Sequence, residues 1–119
     1  MNAKRPISVT IIAILYLAVG IAGFVGHGYE ALRARPFPTD AIWIELTEFA
    51  AIVSGAFLLR GQNWARWLAV AWMAFHVVIS VFHPLRELAI HAVLLVLITW
   101  ILFRAGATRY FRNEESRAT

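Results

Sequence analysis

Four long apolar runs alternate with short polar segments along the chain. The first run, Ile7 to Val25, has 19 residues without a charge. A helix of that length reaches roughly 28 Å at about 1.5 Å of rise per residue, enough to cross the hydrocarbon core of a bilayer. The pattern therefore predicts an all-α integral membrane protein whose four spans form an up-down four-helix bundle. The predicted spans are residues 7–25, 41–59, 64–82 and 84–103.

Proline and glycine mark the ends of the predicted spans. Two prolines lie in the segment 27–40, which predicts an outer loop because proline disfavours a continuous helix. Gly61 follows the second span, where a helix C-cap is expected. Pro84 suits the first position of the fourth helix. The remaining residues, 104–119, form a polar tail, of which we expect the first part to lie along the lipid surface and the end to fray.

Composition supports a membrane as the solvent of this fold. Of the 119 residues, 61% are apolar and 15% are charged, whereas soluble domains have about half and about a quarter. A single soluble domain of this length cannot bury such an excess of apolar residues in one core. The sequence has no cysteine, so disulfides and thiolate metal sites are excluded.

The basic residues indicate the orientation of the protein in the membrane. Although the net charge is +4, Lys and Arg are scattered between apolar runs and form no helix face that follows a phosphate backbone. With the N-terminus inside, eight basic residues are cytoplasmic and only Arg33, Arg35 and Arg86 are outside, as the positive-inside rule requires. We therefore expect both termini in the cytoplasm of a bacterium, an inner-membrane location, the lipid bilayer as partner and no nucleic acid.

Aromatic and basic residues near the ends of the spans are typical of membrane-interface anchors. Tryptophan and tyrosine prefer the level of the lipid headgroups, where one part of the ring is apolar and the other hydrated. The expected anchors are Trp64, Arg66, Trp67, Arg104 and Tyr110.

Ionisable side chains inside the spans gather toward the predicted outer ends of the second, third and fourth helices. Carboxylates and imidazoles that face lipid are costly, so we expect these groups to turn inward and to meet. At about 100° per residue, His76 and His83 share one helix face, and Glu87 and His91 lie about 40° apart. The sequence therefore predicts one polar pocket, open to the outer face and closed toward the cytoplasm. Its predicted lining is Glu45, Glu48, His76, His83, Glu87 and His91.

Three interpretations of this pocket are open. A self-satisfied network, such as Glu48 with His76 or His91, would only fix the register of the helices. Imidazoles and carboxylates also suit a metal ion, with His76, His91 and Glu48 as candidate ligands, and two histidines on separate helices can ligate haem. The third interpretation is the binding or translocation of a cation, a proton or the polar end of a lipid.

The leading hypothesis is a non-enzymatic binding, accessory or structural role without a cofactor. The alternative is a metal- or haem-dependent redox protein or membrane enzyme. The sequence contains neither a serine nucleophile elbow nor a glycine-rich phosphate loop that would indicate other chemistry. Four helices are few for a complete transport path, and a homodimer or a larger membrane complex would supply more.

Overall fold

The computed structural model describes residues 4–118, which fold into five α-helices joined by short turns. No strand occurs in this part of the chain, so the all-α class is confirmed. The first, second and fourth helices are long and apolar enough to cross a membrane. The helices are α1 (Ile7–Arg33), α2 (Ala41–Leu59), α3 (Asn63–Ser80), α4 (Leu85–Phe103) and α5 (Ala105–Ala118).

Helices α1 and α2 form the most closely packed pair, and small residues are the reason. A Cβ atom on Gly55 would lie 2.6 Å from the carbonyl oxygen of Ala13, and one on Gly20 would lie 2.9 Å from the amide nitrogen of Ile52. Glycine therefore lets the two antiparallel backbones approach without an intervening side chain. Helix α3 packs against both α2 and α4, and α4 returns to contact α1.

Helix α1 extends beyond the predicted end of the first span at Val25 and continues to Arg33. The predicted outer loop 27–40 is correspondingly reduced to residues 34–40. The added segment begins with Gly26 and Gly28, which are poor helix formers, but its last four residues, 30–33, are strong ones. The helix ends shortly before Pro36, because proline disfavours the helical conformation in the residue that precedes it.

Residues 105–118 form a helix that docks on the bundle, where the sequence predicted a surface-lying and then frayed tail. Phe111 is fully buried, and the Tyr110 hydroxyl donates a 3.0 Å hydrogen bond to the carbonyl oxygen of Leu59. The side chain of Glu114 covers Gly61, whose φ of 71° turns the chain from α2 into α3. The apolar residues of α5 recur at helical spacing, so one face of this helix is buried and the other is charged.

Arg66 joins three helices at this end of the bundle. Its side chain is buried and donates a 2.9 Å hydrogen bond from Nε to the side-chain oxygen of Asn63. Its Nη1 donates 3.2 Å hydrogen bonds to the carbonyl oxygen of Leu102 and to the hydroxyl of Thr108. These contacts connect α3 to the end of α4 and to the first turn of α5.

Two of the five predicted interface anchors are therefore buried between helices. The guanidinium of Arg66 lies over the rings of Phe103 and Phe111, at 4.5 and 4.9 Å from their centroids. Tyr110 is only 5% exposed. The other three, Trp64, Trp67 and Arg104, are exposed at the same end of the bundle.

Large apolar side chains are exposed along all four long helices. Ile14, Phe49, Val78 and Val96 are each at least half exposed, and they lie on α1, α2, α3 and α4 in turn. A soluble monomer rarely presents apolar surface on this scale. Lipid is the solvent that matches such a surface, which agrees with the composition.

Candidate functional site

The carboxylate of Glu48 rests on the backbone of α1. A Cβ atom on Gly23 would lie 2.5 Å from Glu48 Oε2, so only glycine leaves room for the carboxylate at this position. One turn further along α1, His27 Nδ1 lies 3.6 Å from Glu48 Oε1. The buried Oε2 atom has no hydrogen-bond partner in the described part of the chain. Helix α1 thus supplies the immediate surroundings of this carboxylate.

Glu45 lies nearly one turn before Glu48 and also faces α1. Its two carboxylate oxygens lie 3.4 and 3.5 Å from the position that a Cβ atom on Gly28 would occupy. Its buried Oε1 atom likewise has no hydrogen-bond partner within residues 4–118. A buried carboxylate oxygen without a donor is costly, because burial removes its water without replacing the hydrogen bonds.

Glu45 lines a groove of about 800 Å³ between the last turns of α1 and the first turns of α2, which we call the outer groove. Glu45 is the one charged residue that the described chain brings to this lining, and most of the other lining residues are apolar. The volume lies within the roughly 300–1,000 Å³ of typical small-molecule sites. Four aromatic residues contribute to the lining, namely Phe24, Tyr29, Phe37 and Phe49.

His76 and His91 form a separate pair on α3 and α4 that is bridged by Ser80. The Ser80 hydroxyl donates a 2.7 Å hydrogen bond to the carbonyl oxygen of His76 and lies 2.6 Å from His91 Nδ1. A hydroxyl has one proton, so the proton of the second contact is on His91 Nδ1. His76 Nδ1 lies 2.8 Å from the carbonyl oxygen of Trp72, which can only accept, so this nitrogen also carries a proton.

The six predicted site residues do not share one pocket. Glu48 and His76 line a small cavity of about 280 Å³ between α2 and α3, and the rings of His76 and His91 are 5.9 Å apart. Glu45 belongs to the outer groove on the α1 side of α2. His83 and Glu87 form an exposed pair, with 3.5 Å between Nδ1 and Oε2. Such a pair at the surface contributes little stability.

The candidate metal ligands Glu48, His76 and His91 make separate contacts and do not form one cluster. Within residues 4–118, no three His, Asp or Glu side chains lie close enough together to hold a metal ion. Glu48 is oriented toward Gly23 and His27, whereas His91 is hydrogen-bonded to Ser80. The geometry therefore gives the metal and haem interpretations no specific support.

The contribution of α1 is the part of the site that sequence reasoning missed. The apolar run ends at Val25, which places His27 in the predicted loop. Yet Gly20, Gly23 and His27 recur at spacings of three and four, which puts them on one face of a helix that continues past Val25. This spacing is the signal that identifies the surface on which Glu48 rests.

Comparison with protein-family models, curated proteins and solved structures gives no match. The outer groove and the carboxylates that face α1 are therefore the features of this chain that bear on its function.

Proposed function

We propose that this protein is a non-enzymatic integral membrane protein that binds an amphipathic organic cation in the outer groove. The observation that carries the proposal is the carboxylate of Glu45, the one charged group that the described chain brings to the groove lining, whose buried Oε1 atom has no donor within residues 4–118. A positive charge beside this carboxylate would compensate for its lost hydration. The surrounding aromatic rings would attract the same charge through their negative faces.

The composition of the lining favours an organic cation over a metal ion. A metal ion needs several oxygen or nitrogen ligands at short distance. A quaternary ammonium or phosphonium ion needs only one countercharge, together with apolar and aromatic contact. The outer groove offers that combination, with Glu45 as the countercharge and Phe24, Tyr29, Phe37 and Phe49 as the aromatic contacts.

Glu48 supports this site without lining it. Its carboxylate lies deeper along α2, on the same glycine-containing side of α1, and adds negative charge behind Glu45. His27 provides a countercharge at 3.6 Å when it is protonated. We therefore assign Glu45 to ligand binding and the pair Glu48 and His27 to positioning α1 against α2.

Glu45→Gln is expected to weaken the binding of tetraphenylphosphonium about tenfold or more, because a charge-assisted contact contributes roughly 1.5–3 kcal/mol. The measurement is equilibrium binding to the full chain purified in detergent. Glu30→Gln is the matched control, since Glu30 is exposed on α1 and does not belong to the groove lining. Glu48→Gln is expected to have a smaller effect than Glu45→Gln.

A neutral probe separates charge recognition from simple partitioning into an apolar groove. Triphenylphosphine oxide has similar rings and no net charge, so its affinity should be the same for the wild-type protein and for Glu45→Gln. The proposal is contradicted if Glu45→Gln leaves phosphonium binding unchanged, or if Glu30→Gln weakens it equally.

We further propose that α3 is a fourth span and that both termini lie in the cytoplasm of a bacterial cell. Helix α3 has 18 residues and lies between α2 and α4, which are themselves candidate spans. Its exposed face is apolar and includes Phe75 and Val78. Most basic residues lie at the end of the bundle where α1 begins and α4 ends, which favours the cytoplasm for that end.

Reporter fusions test this topology. We expect alkaline phosphatase to be active when it is fused within residues 34–40 or 81–84, and inactive at residues 61–62 and after residue 113. A fluorescent protein that folds only in the cytoplasm should give the reverse pattern. If the turns at 61–62 and 81–84 report the same side, α3 does not cross the membrane.

A further inference from the structure

A second apolar groove, which we call the inner groove, lies between α1, α3 and α4 and has a volume of about 400 Å³. Along α1 it extends from Ser8 to Val19, about 16 Å at 1.5 Å per residue. The Tyr16 hydroxyl in its wall donates a 2.6 Å hydrogen bond to the carbonyl oxygen of Ala69. The Trp72 indole N–H donates to the carbonyl oxygen of Thr47 at 2.8 Å. Both polar groups are thus satisfied within the protein, and the groove is left apolar.

Arg104 lies at the end of the inner groove where α1 begins. Its Nη2 donates a 2.6 Å hydrogen bond to the Ser8 hydroxyl, and Ser8 belongs to the groove lining. Helix α5 begins directly after Arg104, at Ala105, and the first amides of a helix carry a partial positive charge. The guanidinium is exposed, so it is accessible to a group at the membrane surface.

We infer that the inner groove holds one acyl chain of an anionic phospholipid whose phosphate binds Arg104 and Ser8. The apolar walls match a hydrocarbon chain, and the extent along α1 matches a chain that runs from the interface toward the middle of the bilayer. Arginine forms bidentate hydrogen bonds with phosphate, and Ser8 offers a hydroxyl beside it. Charge complementarity selects an anionic lipid over a zwitterionic one, because the basic residues at this end exceed the carboxylates of α5.

This inference is independent of cation binding, since the inner groove shares no lining residue with the outer groove. The test is native mass spectrometry of the full chain with phosphatidylglycerol or phosphatidylcholine of identical acyl chains. Both lipids present the phosphate, but the choline of phosphatidylcholine adds a positive charge beside Arg104, so we expect about tenfold higher retention of phosphatidylglycerol by the wild-type protein. Arg104→Gln should remove this preference, whereas Arg33→Gln, at the opposite end of the bundle, should preserve it.

Two substitutions by tryptophan test whether the lipid chain occupies the inner groove. Leu15→Trp introduces bulk at the rim of the inner groove and should reduce the retention of phosphatidylglycerol at least fivefold. Ile14→Trp makes the same change on α1 at a similarly exposed position outside the groove, and should leave retention unchanged. The inference is overturned if the wild-type protein shows no lipid preference, if the preference survives Arg104→Gln, or if the two tryptophan variants behave alike. Lipid-free dimers that dissociate when Leu15 is replaced would likewise overturn it, and would assign the groove to a second copy of the chain.

Discussion

Gly55→Val is expected to lower the free energy of unfolding by about 3 kcal/mol, at the upper end of what overpacking costs. The added Cβ atom would lie 2.6 Å from the carbonyl oxygen of Ala13 and 3.0 Å from the amide nitrogen of Leu17. Both obstacles are backbone atoms of α1, so no change of side-chain rotamer relieves the clash. Helix α1 must move away from α2, which loosens the contacts that hold the Glu48 carboxylate.

Gly26→Val is the matched control for this substitution. A Cβ atom on Gly26 would have open space around it, so only the small difference in helix propensity applies. Unfolding by sodium dodecyl sulfate in mixed micelles, followed by circular dichroism, measures both variants. A Gly55→Val protein within about 1 kcal/mol of the wild type would contradict the close packing of α1 on α2, since overpacking typically costs 1–3 kcal/mol.

Arg66→Met is expected to undock α5 at a cost of about 3 kcal/mol. Methionine fills a similar volume but donates nothing to the Asn63 side chain, the Leu102 carbonyl or the Thr108 hydroxyl. Each of these acceptors would lose a charge-assisted hydrogen bond in a part-buried or buried position. The contact with the Phe103 and Phe111 rings would lose its cation–π component as well.

Limited trypsin digestion reports this undocking, because Arg109 and Arg112 lie on α5. We expect Arg66→Met to be cleaved at these sites at least tenfold faster than the wild type. Arg60→Met is the control: Arg60 is an exposed arginine at the same end, over the ring of Phe57. Arg66→Lys should be intermediate, since lysine keeps the charge but lacks the planar fork. Equal cleavage of the Arg66→Met and Arg60→Met proteins would show that Arg66 does not hold α5.

The helices could be predicted from sequence because lipid imposes long apolar runs. The contacts between them at the end where α1 begins and α4 ends could not be predicted. The bounds of α2, Ala41–Leu59, agree with the predicted second span. Arg66 lies between two tryptophans, a pattern that is typical of interface anchors. Only the position of α5 shows that Arg66 is buried. The apolar residues of α5 stand among five charged ones, so the segment has no apolar run that indicates docking.

The candidate site could be predicted only in part, because helix periodicity gives the face of a residue but not its neighbour. Glu48 and His76 line one cavity, as is expected from their similar distances from the predicted outer ends of α2 and α3. The separation of Glu45 from the histidines follows from the glycines of α1, which bring that helix onto one side of α2. Position along the helix could not show that Glu45 has a buried carboxylate oxygen against α1, whereas the side chain of Glu87 is 44% exposed.

The position of a bound cation tests the central proposal most directly. A photoreactive triphenylphosphonium probe, crosslinked to the full chain and mapped by peptide mass spectrometry, should label residues 24–32 and 41–49, which contain the lining of the outer groove on α1 and α2. Excess tetraphenylphosphonium should compete with this labelling, and Glu45→Gln should reduce it about tenfold at a probe concentration below the wild-type Kd. Labelling confined to residues 8–19 or 92–101, or labelling that is undiminished in Glu45→Gln, would contradict a cation site at Glu45.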